Sequence, residues 1–436
     1  MKKSYHEIVK YILKLESKIA FYPTVIGLIG LVFAVFMYYI EDLDISKYLL
    51  DHAPWLVINN VDTARTILTT FVAGLISIMV FSFSMVMILL SQASTNYSPR
   101  VLPGLISNRR HQIVLGVYLS CLLYCIFTLI AIEPTGDKYQ LPGFSVLLSI
   151  IFMTLCLAAF IYFIHSISQE IQINNIMLAI FNKAKNRLNV VLDYEREKEV
   201  QFPDTSNWHL VNSNRIGYLE DIASKSLLEI LDDNNAKAEV LVYKGQYLRK
   251  DAPLFKTNIE LNEDCLEKLK DSFHFSRSEL IESNYVLAYK QITEIAVKAM
   301  SPAINDPGTA INAIDYLTDL FILRMKKDDI SFYLNESEEP IIYFHILKFN
   351  NILHFVMASL RTYCKSDVVV VRALVEMLGN LINNSNCKNV SYKDSVIKEL
   401  ENLFLDANES IENTNDIHYL ESRIQEIKKI YAQSIL

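Results

Sequence analysis

Residues 77–100 read SIMVFSFSMVMILLSQASTNYSPR, an apolar run that carries six serines and ends abruptly in polar residues. About 20 apolar residues in a helix cross the roughly 30 Å of hydrocarbon in a bilayer. Runs of this length predict four membrane spans, at Phe21–Ile40, Ile67–Leu90, Ile113–Ile132 and Phe144–Ile164, and no comparable run follows them. The sequence therefore predicts an integral membrane protein whose most direct partner is the lipid bilayer.

The distribution of lysine and arginine predicts the orientation of these spans. The first 20 residues carry five lysines, whereas residues 41–66 carry two basic residues against five acidic ones. The connection between the second and third spans is basic again, and residues 133–143 have one lysine. Because basic segments stay in the cytoplasm, we expect both termini inside a bacterial inner (plasma) membrane.

Composition excludes several classes of function. The 436 residues are 51% hydrophobic and carry a net charge of −8, which argues against a nucleic-acid partner. Neither the six cysteines nor the histidines show the spacing of a disulfide framework or a zinc site. Motifs for nucleotide binding, hydrolase nucleophiles or metalloproteases are absent, so we expect no enzyme, no catalytic residue, no metal and no cofactor.

Periodicity divides the chain into five segments. We predict an interfacial amphipathic helix (1–20), a four-span domain (21–165), a helical connector continuing the fourth span (166–200), a small β-containing cytosolic subdomain (201–257) and a helical cytosolic domain (258–436). The fold class is therefore mainly α, with a four-helix transmembrane region followed by a cytosolic α+β domain. Apolar residues of the connector recur on one side of its predicted helix. This apolar row, called the seam below, fits either packing on its own domain or self-association.

Hydroxyl groups recur every seven residues along the second span, at Thr63, Thr70, Ser77, Ser84 and Ser91. A straight helix drifts only about 20° per heptad, so these groups form one row. The row fits close helix packing through small side chains. It also fits the lining of an ion path in a symmetric homo-oligomer, with Thr70, Ser77, Ser84 and Ser91 as pore-lining candidates.

The stretch AVKAMSPAINDPGTAINAIDYL, residues 296–317, contains a helix break and restart around Pro302 and Pro307. Asp306 stands at the N-cap position, with Pro307 as the first helical residue. One interpretation is a rigid capped turn. The other is an anionic-ligand site at the first-turn amides near Gly308 and Thr309, with Asn305 and Asp306 beside them, in a cleft that Glu294 and Lys298 also line.

Polar residues at the predicted span ends are the remaining site candidates. Ser98, Arg100, Arg109 and Arg110 fit either topology anchors and headgroup contacts or a cytoplasmic pore mouth. His165, beyond the fourth span, fits either an interface residue or part of a site near the inner membrane face.

Several of these motifs together resemble a bacterial family of predicted membrane proteins, domain of unknown function 2254. The resemblance rests on Ser301–Pro307 with Thr309-Ala310, and on further matches in the same order along the chain: Phe81-Ser82, Ser98-Pro99-Arg100, Arg109, Gln112, His165, Ile171-Gln172 and Arg277. The chain departs from the family pattern at Asn108, Ala288 and Gly308. The resemblance implies four N-terminal spans and a cytosolic C-terminal region, adds Gln172 and Arg277 to the candidates, and implies no catalytic activity.

These observations lead to two hypotheses about function. The first is an oligomeric ion-conducting channel with a cytosolic regulatory or ligand-sensing domain. The second is a membrane-anchored sensor or scaffold without a pore. Oligomer mass and ion flux separate them.

Overall fold

The computed structural model describes residues 20–41, 43, 45–58, 60–96, 109–132, 142–170, 172–195, 200–276, 284–387 and 389–435. The predicted amphipathic helix at 1–20 therefore lies outside the described residues, apart from its last position. Contacts between residues divide the chain into two compact units, Met1–Gln172 and Ile173–Leu436.

The N-terminal unit confirms the prediction of four apolar helices. Among the described residues, the helices long and apolar enough to cross a membrane are α1 (Phe21–Glu41), α3 (Val61–Asn96, apolar to Leu89), α4 (Arg109–Ile130) and α5 (Gly143–Glu170). Helix α2 (Ile45–His52) and a 3₁₀ turn (Pro54–Leu56) connect the first two. Helix α3 begins six residues earlier than the apolar run because the Asn60 side chain accepts the Thr63 amide at 2.9 Å and so caps the helix.

Glycines allow the closest helix contact in this unit, between α1 and α4. A Cβ built on Gly30 would lie 2.0 Å from the Ser120 hydroxyl and 2.7 Å from its Cα atom. A Cβ on Gly27 would likewise lie too close to Leu119, and one on Gly116 too close to Ile26, at 2.8 Å in both cases. By contrast, a Cβ on Gly74 of α3 would meet only a methionine methyl group, at 3.6 Å. Small residues thus bring two spans together here, as is usual in membranes.

At the other end of α1, Glu41 fixes the start of α5. Its carboxylate accepts the Ser145 amide at 2.7 Å and the Ser46 hydroxyl at 2.5 Å, while the Ser46 hydroxyl oxygen accepts the Phe144 amide at 2.9 Å. These contacts satisfy first-turn amides of α5 that have no partner within the helix. One of the five acidic residues of segment 41–66 is therefore a helix cap.

The predicted continuous connector differs from the structure. Helix α5 ends at Glu170, and a new helix, α6 (Ile173–Glu195), begins after Gln172. The apolar face of α6 is buried in its own unit, through Ile176, Met177, Ile180, Phe181, Ala184 and Leu188, and α6 packs against α9 (Val286–Ala299) and α10 (Pro307–Arg324). This burial favours the interpretation that the seam packs on its own domain. Leu178, which the predicted seam included, is an exception, since its side chain is 42% exposed.

Two small sheets lie in the C-terminal unit. The five-stranded sheet has the order β1-β5-β3-β8-β7, and the three-stranded sheet has the order β4-β2-β6. The strands are β1 (His209–Asn212), β2 (Gly217–Ile222), β3 (Ala238–Val240), β4 (Tyr247–Leu248), β5 (Pro253–Thr257), β6 (Phe273–Ser276), β7 (Ile330–Leu334) and β8 (Pro340–His345). Helices α7 (Ser224–Asp233) and α8 (Glu263–Asp271) accompany them. All pairs are antiparallel except β3 with β8.

The segment predicted as a helical cytosolic domain (258–436) also contains strands, which the prediction missed. Strands β6, β7 and β8 lie there. Four consecutive residues of β8, Ile341–Phe344, are buried. A strand buried on both faces has no polar alternation, so its short apolar run is indistinguishable from a helix start.

The rest of the unit is a helical layer formed by α9, α10, α11 (Phe349–Cys364), α12 (Val368–Ile382), α13 (Val390–Ser410) and α14 (Thr414–Ile435). Helix α10 packs against α9 and α12, and α12 packs against α13 and α14. The mainly α fold class, with helices and small mixed sheets after the spans, is confirmed.

Candidate functional site

The hydroxyl row of α3 lies on an exposed face of the N-terminal unit. The side chains of Thr70, Ser77, Ser84 and Ser91 are all exposed. The first three donate to the carbonyl oxygen four residues earlier, at 2.7, 3.0 and 2.9 Å. The row is therefore not what packs the four helices of one chain together, a role that the glycines of α1 and α4 share. It remains available for lipid, water or another copy of the chain.

A second set of polar groups is buried inside the same bundle. Ser82 on α3 and Tyr118 on α4 have fully buried side chains whose hydroxyls face each other and have no other partner in the described part of the chain. The thiols of Cys121, Cys125 and Cys156 belong to the same core cluster as Tyr118. Burying polar groups in an apolar interior costs free energy unless they find partners. The buried hydroxyls therefore need a further partner more than the exposed hydroxyl row does.

The described candidates at the span ends have exposed side chains. Ser98 and Arg100 lie outside the described residues. Arg109 begins α4 and its guanidinium lies 4.7 Å from the centre of the Tyr22 ring, while Arg110 beside it is exposed. His165 near the end of α5 and Gln172 after it are also exposed.

Asp306 caps α10, as predicted. Its carboxylate accepts the Thr309 amide at 3.1 Å and the Thr309 hydroxyl at 2.6 Å, and these bonds lower the pKa of the Asp306 carboxyl. Before it, Asn305 has a φ of 47°, and the Asp306 amide donates back to the Ala299 carbonyl at 2.8 Å. The turn thus satisfies its own backbone, and the Asp306 carboxylate holds an amide that the ligand interpretation assigned to an anion.

The other candidates near this turn do not form a described pocket with it. Glu294 and Lys298 are half-buried on α9. Neither they nor Asn305, Asp306 and Thr309 line the cleft described next. Arg277 lies outside the described residues.

A cleft of about 340 Å³ lies within the C-terminal unit. Its walls come from one face of α6, from β7 and β8, from the residues around β2 and β3, and from the start of α9. Most of the lining is apolar or aromatic, as in small-molecule sites of this size. The apolar and aromatic lining residues include Val190, Val191, Tyr194, Ile222, Val242, Tyr243, Tyr285, Val286, Phe332 and Phe344.

A buried ion pair lines this cleft. The Lys327 ammonium donates to the Glu195 carboxylate and, at 2.8 Å, to the Ile330 carbonyl. The Ser331 hydroxyl donates to the other Glu195 oxygen at 2.8 Å. The Lys327 side chain is 1% exposed and that of Glu195 is 11% exposed. Burial lowers the pKa of Lys327, and the attraction of Glu195 opposes this effect.

A fully buried arginine lies beside this pair. Arg324 donates to the Lys327 carbonyl at 2.9 Å and to the Asp329 carboxylate. The same Asp329 oxygen accepts the Phe349 amide at 2.9 Å and so holds the start of α11. The Tyr392 hydroxyl donates to the Lys327 carbonyl at 3.1 Å. Charged groups therefore connect this wall of the cleft to the helical layer.

Three other basic side chains line the cleft. Lys244 pairs with the Asp221 carboxylate, and His345 lies 2.7 Å from a Glu239 carboxylate oxygen. Arg187 on α6 is half-buried and makes neither a hydrogen bond nor an ion pair within the described residues. The only acidic residue lining the cleft in the described chain, Glu195, is committed to Lys327.

None of these cleft residues was a candidate from the sequence. Glu195 and Lys327 are 132 positions apart, so no local motif links them. The described residues contain no cluster of three or more histidine, cysteine, aspartate or glutamate side chains suited to a metal ion.

Comparisons with known proteins also indicate a membrane protein. Residues 16–380 match a family described as Predicted membrane protein (DUF2254). Uncharacterized proteins of Mycobacterium bovis (Mb1321c) and Mycobacterium tuberculosis (Rv1290c) are each 23% identical over 343 residues, which are 74% of this chain. The match spans 64% of the length of each relative. No solved structure matches the chain. Because the family match covers most of its length, the chain belongs to the predicted membrane protein family of domain of unknown function 2254.

Proposed function

We propose that this membrane protein forms a homo-oligomer in the bacterial inner membrane, with both termini in the cytoplasm, and conducts a small ion along α3. In this proposal the C-terminal unit regulates conduction by binding a ligand in its cleft. The single observation that carries the proposal is the exposure of the hydroxyl row from Thr70 to Ser91, which helices α4 and α5 leave uncovered. A symmetric assembly would place one such row from each chain around a shared axis.

Charge at one end of the bundle supports a preference for cations. Asp51 and Asp62 are exposed in the segment that the lysine and arginine distribution assigns to the outer face. Exposed carboxylates at a pore entrance raise the local concentration of cations.

Two serines on α3 provide the test. Ser84 is exposed, whereas Ser82 is fully buried. Replacement by alanine removes only a hydroxyl at either position, so the two variants are a matched pair. We expect Ser84→Ala to change ion flux in proteoliposomes without changing oligomer mass, and Ser82→Ala to leave flux at the wild-type value. Ser84→Leu should reduce flux further by occluding the path.

Two results would contradict the proposal. Wild-type protein of uniform oligomer mass that gives no flux above empty liposomes, across several ions and voltages, would remove the pore. A change in flux with Ser82→Ala but not with Ser84→Ala would move the path from the symmetry axis into the bundle of each chain.

The second candidate is a membrane-anchored sensor without a pore. The observation that favours it is the cleft, whose lining residues all belong to the C-terminal unit and which needs no ion path to bind a ligand. A monomeric protein that binds a ligand in the cleft and gives no flux would support this candidate over the first.

A further inference from the structure

Among the basic side chains that line the cleft, one has no carboxylate partner within the described residues. Lys327, Lys244 and His345 each already contact a carboxylate, on Glu195, Asp221 and Glu239 respectively. Arg187 has none within the described residues, and it is half-buried against the apolar wall of the cleft. A guanidinium in such a place favours a planar anion that accepts two hydrogen bonds, as a carboxylate does.

Helix geometry places Arg187 beside an apolar surface. Val190, Val191 and Tyr194 follow it at intervals of three, four and seven residues, so all four side chains lie on one face of α6. Val242 and Phe344 line the cleft from the sheet. A ligand here would place an apolar body against these walls and an anionic group at Arg187.

The size and the charge of the cleft limit the ligand further. About 340 Å³ is near the lower end for small-molecule sites. A nucleoside diphosphate brings several negative charges, and one unpaired guanidinium neutralises only one of them. A single carboxylate on an alkyl chain of medium length matches both the volume and the charge.

We propose that the cleft binds a medium-chain monocarboxylate, with the carboxylate on Arg187 and the alkyl chain along Val190, Val242 and Phe344. This inference deepens the ligand-sensing role proposed above and rests on it. Binding itself requires no ion path.

Equilibrium dialysis of radiolabelled decanoate against the full-length protein in phosphatidylcholine nanodiscs tests the proposal, with empty nanodiscs measuring partition into lipid. We expect one saturable site per chain, much weaker binding of decanol and no competition by ADP. Arg187→Gln should weaken decanoate binding about 10- to 100-fold, since a hydrogen bond to a charged group is worth about 1.5–3 kcal/mol.

Two variants on the same helix separate charge at the cleft from charge in general. Lys185→Gln removes a cation that does not line the cleft and lies 5.5 Å from the centre of the Phe181 ring, so binding should stay at the wild-type value. Val190→Glu places a carboxylate three residues after Arg187, within reach of its guanidinium, and should weaken binding although Arg187 remains.

Equal binding of decanol and decanoate, unchanged binding by Arg187→Gln, or saturable binding of ADP instead of decanoate would each overturn the proposal. Because dialysis does not measure conduction, decanoate binding without ion flux would remove the pore and leave this inference standing. Ion flux without decanoate binding would do the reverse.

Discussion

The buried pair of Lys327 and Glu195 allows a quantitative test of the C-terminal unit. Removing one partner of a buried ion pair leaves an uncompensated charge and typically costs about 3–5 kcal/mol. The side chains are 1% and 11% exposed, so solvent screens either charge little. For a unit of this size, about 2–4 °C in melting temperature corresponds to each kcal/mol. We therefore expect Lys327→Met to lower the melting temperature by roughly 6–20 °C.

The double variant Lys327→Met with Glu195→Leu should recover most of this loss. Two apolar side chains of similar volume remove both charges together with their desolvation cost, and such replacements are often neutral or stabilising by about 1–4 kcal/mol. Lys326→Met is the matched control. Its ammonium is exposed one position away, and exposed substitutions usually change stability by less than about 0.5 kcal/mol.

Cysteine reactivity offers a readout specific to this unit. Cys364 is fully buried there, and burial raises the pKa of its thiol to about 12. This thiol should therefore not react with a fluorogenic maleimide at neutral pH while the unit is folded. Replacing the three cysteines of the spans and Cys387 by alanine leaves Cys265 and Cys364, both buried in the C-terminal unit, as reporters of its unfolding. A double variant as unstable as the sum of the two single variants would refute the reasoning.

Three further outcomes follow from the structure. Gly30→Ala should force α1 and α4 apart and cost about 1–3 kcal/mol in a melting experiment on the N-terminal unit, whereas Gly74→Ala should be tolerated. Because hydrogen bonds lower the pKa of Asp306 in the folded state, its contribution is present above the unfolded pKa of about 3.9 and is lost as pH falls through the lower folded value. Asp306→Ala should therefore cost about 0.5–2 kcal/mol at pH 7 and progressively less in acid, and Asp306→Asn should cost little at pH 7. In a background without native cysteines, a membrane-impermeant thiol reagent should label Trp55→Cys but not Gln172→Cys in intact cells, and the reverse would invert the proposed topology; both positions are exposed.

Features that depend on local chemistry were predictable from the sequence. The spans were predictable because a bilayer requires long apolar helices whose backbone hydrogen bonds are made within the helix. The cap at Asp306 was predictable because an N-cap depends on only a few neighbouring residues. The close contact between α1 and α4 could have been predicted from Gly27, Gly30 and Gly116. Sequence analysis considered helix packing only for the hydroxyls of α3, as one of two interpretations.

Features that depend on distant residues were not predictable. Strand β8 pairs in parallel with β3, and parallel pairing requires a long intervening crossover that no local pattern reveals. The cleft combines α6 with β7 and β8, more than 130 positions along the chain. Sequence analysis did not single out Arg187, and only the fold shows that it faces an apolar cleft in which no described carboxylate pairs with it.

The two serines of α3 pose the physical question on which the proposed conduction depends. Ser84 already donates its hydroxyl proton to the Val80 carbonyl at 2.9 Å, so an exposed position costs it little even against lipid. Ser82 is fully buried, and within the described residues its hydroxyl faces only that of Tyr118, so it has the greater need of a polar partner. If the ion path follows the exposed hydroxyls, it runs along the face of Ser84. If it follows the buried polar groups instead, it runs through the interior beside Ser82 and Tyr118. An axial path predicts that water or ions meet the row only after chains associate, so flux should vanish in any variant that stays monomeric, whatever residue stands at position 82. Flux from a protein shown to be monomeric in the liposome would refute the axial path and point to the buried set.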